Sequence, residues 1–173
     1  EIVNLNNFYG RTFAPATENG STLIQIENDF SENFPPNDDS EGDQIGAVKV
    51  TMAHEFKHAI QFSANEWQGE TGTWLEMDAT LMEEVVYDDV NDYYNYIRSS
   101  SSIFNSPQSS FYPGSYYHVS WALYFEERYG SQFWVDVWDI IQQNPQITMV
   151  DALTQQLGGP QAFEENYIAS QLW

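Results

Sequence analysis

The chain has 173 residues, which suits one domain with a hydrophobic core, and 42% of them are hydrophobic, unlike a disordered acidic tail. Its 26 acidic and 5 basic residues give a net charge of −21, which argues against nucleic acid and anionic membranes as partners. The absence of cysteine excludes disulfides and thiolate metal sites, and no apolar run is long enough to span a membrane.

Residues 1–46 are predicted to form a strand and loop region. Within it, residues 22–27 alternate between polar and apolar side chains, which is typical of a half-buried strand. The following loop is acidic, and its clustered carboxylates belong to Asp38, Asp39, Glu41 and Asp43. We interpret this cluster as a solvated loop or, alternatively, as a Ca²⁺ site, although its spacing differs from that of an EF-hand.

The pattern over residues 47–62 predicts a helix that is apolar on most sides and therefore buried. This helix carries the sequence H-E-x-x-H, formed with His54, Glu55 and His58. Because residues four apart lie on one face of a helix, both imidazoles can reach one metal ion, with Glu55 beside it. Zinc peptidases use this arrangement to hold zinc and to activate water, so the sequence predicts a zinc site.

Two histidines do not complete a catalytic zinc site, which takes three protein ligands and a water molecule. In metzincins the motif continues with a glycine and a third histidine, but Gln61 and Ala64 stand at those positions. A cysteine ligand is excluded by composition. A downstream carboxylate is therefore the better candidate for the third ligand.

A second helix is predicted over residues 73–97, and Glu76 near its start can supply that carboxylate. Glu83, which lies on the same helical face, is the alternative ligand. Glu76 also fits a capping box with Thr73, in which its side chain would bind the backbone at the helix start. If Glu76 binds the metal, Glu83 or Asp78 can instead orient a zinc histidine by a hydrogen bond.

The rest of the chain is predicted to be a loop followed by helices. Residues 99–115 are rich in Ser, Pro and Gly, which is typical of a long lid or binding loop. Residues 116–173 contain helical patterns at residues 116–129, 131–142, 148–157 and 160–171. Together with the metal-binding helices of residues 47–98, they predict a single α+β domain over residues 1–173, dominated by helices.

Several segments resemble the gluzincin clan of zinc peptidases, in which a helix downstream of H-E-x-x-H offers its glutamate as the third zinc ligand. Glu76 and Ala79 match its E-x-x-A context. More closely, residues 26–30, 50–62 and 74–87, about half of the chain, resemble a group of bacterial metalloproteases labelled after a myxobacterial member. Lys57 departs from that group, where an apolar or aromatic residue is common, but this position is not a ligand.

The resemblance implies a zincin-like catalytic domain with a small N-terminal strand region, an active-site helix and a glutamate helix. It implies that His54, His58 and Glu76 bind zinc. Gluzincins also use a histidine or tyrosine to donate a hydrogen bond to the oxyanion of the tetrahedral intermediate. His118 is the first candidate for this role, followed by Tyr117 and Tyr116, although a lone histidine near a helix start is more often structural.

We therefore expect a zinc-dependent endopeptidase that acts on a peptide or protein substrate, with Glu55 as general base. The predicted strand over residues 24–27 resembles the edge strand that pairs with an extended substrate. Two alternatives remain: a non-catalytic metal-containing module that binds a glycan or a cationic partner, and a hydrolase of a non-peptide amide. The chain starts at Glu1 without a signal peptide, and we expect a processed region of a secreted bacterial enzyme.

Overall fold

Helices dominate the structure, and a small three-stranded sheet lies near the N-terminus, so the predicted α+β class is confirmed. The structure is a computed structural model, and it describes residues 1–6, 8–17, 20–31, 34–69, 74–108 and 114–173. Within these ranges, none of the helices has the length and apolar character needed to cross a membrane.

The sheet contains strands β1 (Ile2–Val3), β2 (Gly10–Phe13) and β3 (Leu23–Glu27) in the order β1-β3-β2. β3 confirms the strand predicted over residues 22–27, and it pairs with β1 in parallel and with β2 antiparallel. The expectation that this strand is the edge strand is wrong, because β3 has a neighbour on each side. β2, which the sequence pattern did not reveal, forms an edge of the described sheet.

Helix α1 (Asp43–Asn65) confirms the helix predicted over residues 47–62 and extends beyond both of its ends. It lies between the sheet on one side and the next helix on the other. The expected burial of its apolar residues is wrong for one face, where Phe56 is 61% and Met52 is 51% exposed. Polar side chains are buried instead, and Gln61 is 0% exposed. The buried face of α1 is therefore a polar face.

Helix α2 (Trp74–Val86) is shorter than the helix predicted over residues 73–97, and Thr73 lies outside the described residues. After Val86 the chain turns, and Asn91 adopts a left-handed backbone conformation with φ 57°. Asn tolerates this conformation better than most residues do. A single helical turn, α3 (Tyr94–Ile97), follows this turn.

The C-terminal half follows the predicted pattern. The described part of the predicted loop, residues 99–108 and 114–115, contains neither helix nor strand. A 3₁₀ turn (Tyr116–His118) then leads into α4 (Val119–Tyr129), α5 (Gln132–Gln143), α6 (Met149–Leu157) and α7 (Pro160–Ser170). The Thr148 hydroxyl caps α6 by accepting from the backbone of Asp151, and Pro160 opens α7.

The hydrophobic core lies between α2 and the C-terminal helices. Its fully buried side chains include Met77, Leu81, Phe125, Ile141 and Leu153. The opposite face of α2 packs against α1. As a result, the two helices that carry the predicted ligands are held together between the core and the sheet.

Candidate metal centre

Three predicted ligands from α1 and α2 converge on one point. The Nε2 atoms of His54 and His58 lie 3.0 Å apart, and Glu76 Oε2 lies 3.1 Å from the first and 3.3 Å from the second. Ligand atoms around a tetrahedral zinc ion with bonds of about 2.0–2.1 Å are separated by about 3.3–3.4 Å. The three atoms therefore have nearly the spacing of three corners of such a site, and the group could hold a metal ion.

The orientation of His54 is set by a buried hydrogen bond to Glu83. His54 Nδ1 lies 2.6 Å from Glu83 Oε1, and Glu83 is 4% exposed. Because Glu83 holds the Nδ1 proton, the ring can give up its Nε2 proton and present that lone pair to a metal ion. Glu83 thus lies on the opposite side of the ring from the point of convergence, in the position of an orienting residue.

The orientation of His58 is set by a series of hydrogen bonds through Gln61. His58 Nδ1 lies 2.7 Å from Gln61 Oε1, while the Gln61 amide nitrogen donates to Asp78 at 2.8 Å and to the Leu75 carbonyl oxygen at 3.1 Å. Because both donations require the amide nitrogen on that side, the Gln61 oxygen must accept from His58. His58 therefore also carries its proton on Nδ1 and presents a lone pair from Nε2.

Asp78, at 0% exposure, anchors this series of hydrogen bonds between α1, α2 and α5. Its Oδ2 atom accepts from the Trp138 indole at 2.8 Å and lies 3.2 Å from the ammonium group of Lys57. Lys57 is itself buried, and its ammonium group also lies 5.5 Å from the centre of the Trp138 ring. The unusual lysine within H-E-x-x-H is thus an internal ion-pair partner.

The convergence of two imidazoles on a carboxylate makes the centre strongly receptive to positive charge, either a proton or a metal ion. Burial lowers the pKa of His54, but hydrogen bonds to Glu76 and Glu83 outweigh it and raise this pKa to about 10. Burial raises the pKa of Glu76, but its hydrogen bonds to His54 and His58 outweigh that effect and hold the pKa well below its ordinary value. Two imidazoles and a carboxylate suit Zn²⁺ and also other divalent transition metals.

Glu55 lies beside this centre on the side of the sheet. The Thr12 hydroxyl on β2 is 2.7 Å from Glu55 Oε2 and 2.9 Å from the Glu55 carbonyl oxygen. A Cβ atom on Gly10 would lie only 2.7 Å from Glu55 Cγ, so glycine is required for this close approach. The sequence did not predict a role for Thr12 or Gly10, because their contacts with Glu55 are formed only in the tertiary fold.

The structure brings Tyr116, and not His118, to the centre. The Tyr116 ring stacks on His54 with a centroid distance of 5.6 Å and a 7° angle, and its hydroxyl hydrogen-bonds to Glu76. Burial is the largest of the effects that raise the pKa of Tyr116 far above its ordinary value, so the phenol stays protonated. His118 lines a separate cavity beside Trp121, and half-buried Tyr117 does not line the cavity at the metal centre.

The acidic loop before α1 shows local compensation of its charges. Lys49 lies 2.8 Å from Asp39 and 2.7 Å from Glu41, while Asp43 binds the backbone and side chain of Asn37. Across the described residues, only His54, His58 and Glu76 bring three metal-ligand groups within 4.8 Å of one another. These contacts favour the solvated-loop interpretation over the Ca²⁺ site.

Comparison of the chain with protein-family models, with curated proteins and with solved structures gave no match.

Proposed function

We propose that the protein is a zinc-dependent peptidase in which His54, His58 and Glu76 hold the metal. The observation that carries the proposal is the convergence of two Nε2 atoms and a carboxylate oxygen, with Glu55 beside them. When bound, zinc supplies a Lewis acid that acidifies water and polarises a carbonyl group. The chain's own residues then have to move the proton, stabilise the developing charge and align the peptide.

Glu55 is the proposed general base. It lines the same cavity as His54, and its carboxylate takes the proton from the attacking water and passes it to the leaving amine. The Thr12 hydroxyl, 2.7 Å from Oε2, holds one carboxylate oxygen in place and leaves the other available for this proton transfer. Thr12 is therefore a positioning residue that acts through Glu55.

Tyr116 is the proposed donor to the oxyanion, in place of His118 and Tyr117. Its phenol is protonated, lies against the metal ligands and lines the same cavity as Glu55. As the scissile carbonyl oxygen gains negative charge, the Tyr116 hydroxyl can donate a hydrogen bond to it in a partly water-excluded site. His118 lines the second cavity, so the proposed mechanism gives it no role.

Strand β2 gives the reason for proposing a peptide as substrate. It is an edge strand of the described sheet, and both Gly10 and Thr12 lie directly against Glu55. An extended peptide that pairs with the edge of β2 would run past the base and the metal ligands. The backbone hydrogen bonds of such a pairing align a scissile amide without selecting a particular side chain.

Metal analysis combined with peptide cleavage tests this proposal. We expect one zinc ion per chain in wild type and in Glu55→Gln, with cleavage slowed by about 10²–10⁴-fold in the variant. Glu127→Gln, an exposed change on α4, is the matched control and should cleave like wild type. Full cleavage by Glu55→Gln would exclude Glu55 as the base. Zinc-loaded wild type that cleaves no member of a broad peptide library would exclude the peptidase itself.

A further inference from the structure

A cavity of about 170 Å³ opens directly beside the metal centre. Its polar lining includes the carboxylates of Glu55, Glu83 and Asp92, which come from α1, α2 and the turn before α3. Its aromatic lining comes from Phe8, Tyr9, Tyr96 and Tyr116. The proposed metal site and mechanism use His54, Glu55, Glu83 and Tyr116, so Asp92 and the rings of Phe8, Tyr9 and Tyr96 have no assigned role.

Several polar atoms of residues that line the cavity lack a hydrogen-bond partner among the described residues. They are Glu83 Oε2, Thr51 Oγ1 and the Tyr9 hydroxyl. Glu83 and Thr51 are only 4% and 3% exposed. A buried polar atom without a partner is costly and uncommon in folded proteins. The cavity therefore suits an occupant that can donate hydrogen bonds.

The negative charge of the cavity is compensated only in part, by His54, whose Nδ1 atom lies 2.6 Å from Glu83. Within the described part of the chain, neither lysine nor arginine lines it. Asp92 is 2% exposed, and among the described residues the one side chain that donates to its carboxylate is Asn95, at 3.3 Å. Burial and the neighbouring Glu83 raise the pKa of Asp92 to about 7, and the opposing effects of Asn95 and His54 do not offset them.

The shape of the lining favours an organic cation over a second metal ion. The carboxylates are distributed around the cavity, and the described residues bring three metal-ligand groups close together only at His54, His58 and Glu76. Aromatic rings also line the cavity, and aromatic rings attract ammonium and guanidinium groups. Such a group also donates several hydrogen bonds, which matches the unpartnered oxygen atoms.

We propose that this cavity is a subsite for a positively charged group of the peptide substrate, an ammonium or a guanidinium. The inference rests on the proposed peptidase function. His54 and Glu55 line the cavity and also belong to the reaction centre, so the cationic group belongs to a residue adjoining the scissile bond. Its source is either a Lys or Arg side chain or the free α-amino group of the peptide.

Binding of small amines tests the cavity without any cleavage. n-Butylammonium and n-butylguanidinium are titrated into zinc-loaded protein by calorimetry, with n-butanol as the uncharged control. We expect saturable binding of at least one cation, none of n-butanol, and about tenfold or greater weakening in Asp92→Asn. The matched control is Asp89→Asn, an exposed change in the same turn, which should bind like wild type. Failure of both cations to bind wild type would overturn the proposal.

Peptide cleavage then identifies the source of the charge. N-acetylated peptides carrying Lys or Arg are compared with their citrulline and norleucine counterparts, and free-amine peptides with their acetylated forms. We expect either the Lys or Arg side chain or the free α-amino group to raise kcat/KM tenfold or more over its uncharged counterpart. The same gain should be smaller in Asp92→Asn. This result would support the subsite and identify which cation it binds. Cleavage without such a preference overturns it, as does a second bound zinc that Asp92→Asn removes. Cation binding without any peptide cleavage would refute only the peptidase. The wild-type comparisons decide the question even if Asp92→Asn does not fold.

Discussion

Glu76 and Glu83 contact opposite nitrogen atoms of His54, and this difference separates a metal ligand from an orienting residue. Glu76 Oε2 faces Nε2 at 3.1 Å, together with His58, whereas Glu83 Oε1 faces Nδ1 at 2.6 Å. A carboxylate on the far nitrogen fixes the ring and raises its basicity without touching the ion. The two glutamates should therefore respond differently to the same substitution.

We expect Glu83→Gln to retain one zinc ion per chain with an affinity about 10–100-fold weaker, because an orienting hydrogen bond is changed. Glu76→Gln should weaken zinc binding by more than about 100-fold, because a charged ligand is removed from a three-ligand site. Competition with a chelator at fixed pH measures both affinities. The reverse order, with Glu83→Gln the weaker binder, would make Glu83 the third ligand.

The sequence allowed the local part of the site to be predicted, but not the part built by tertiary contacts. The spacing of His54 and His58 follows from helix geometry alone, and the structure brings their Nε2 atoms together. The choice between Tyr116 and His118 depends on how a 3₁₀ turn is rotated against α1, which no local pattern encodes. The contact of Thr12 with Glu55 joins residues far apart in the chain.

At the scale of elements, α1 shows why hydrophobic pattern predicted a helix but misjudged its buried face. The period of its apolar residues correctly indicated the helix. The face toward α2, however, carries Lys57, Gln61 and the metal ligands, because these groups satisfy one another in the interior. Phe56 and Met52 are left on the exposed side. The early end of α2, at Val86, likewise lies within a segment whose composition looked helical.

Because the polar side of α1 is buried and Phe56 is exposed, loss of a buried polar contact should destabilise the metal-free protein more than loss of Phe56. Phe56→Gln should change the free energy of unfolding by less than about 0.5 kcal/mol, because Phe56 is 61% exposed. Asp78→Asn should cost about 3–5 kcal/mol, because it leaves the buried charge of Lys57 unpaired. Urea unfolding of the two variants measures the difference. A larger loss from Phe56→Gln would show that this side of α1 packs against something in solution.

At the scale of the whole molecule, charge sets conditions for stability but does not determine the fold. The net charge of −21 makes the acidic groups repel one another in the folded state. Burial of Glu83 and Asp92, with partial burial of Glu84, destabilises the folded state further in that region. The acidic composition favours cationic partners only in general terms. It could not show which carboxyl groups are crowded, since that depends on the packing of the α2–α3 turn.

The crowding of carboxyl groups around Glu84 can be tested through the pH dependence of stability. Burial, followed by the neighbouring Asp88 and Glu83, raises the pKa of Glu84 from 4.5 to about 8 in the folded protein. Between those values the folded state binds more protons than the unfolded chain, so stability falls as pH rises. The raised pKa of His54 acts in the same direction in the metal-free protein, because this histidine stays protonated in the folded state up to about pH 10.

We therefore expect metal-free wild type to melt at a higher temperature at pH 6 than at pH 8, by about 2–4 °C or more. Glu84→Gln should reduce the difference in melting temperature between pH 6 and pH 8. Some difference should remain, because His54 still titrates with a raised pKa. Glu127→Gln, which removes an exposed carboxylate on α4, should leave the difference unchanged and controls for net charge. Calorimetry in the presence of a chelator measures all three proteins. A Glu84→Gln variant with an unaltered difference would show that Glu84 ionises freely in the folded state. A wild type that melts higher at pH 8 would contradict the raised pKa values of both Glu84 and His54.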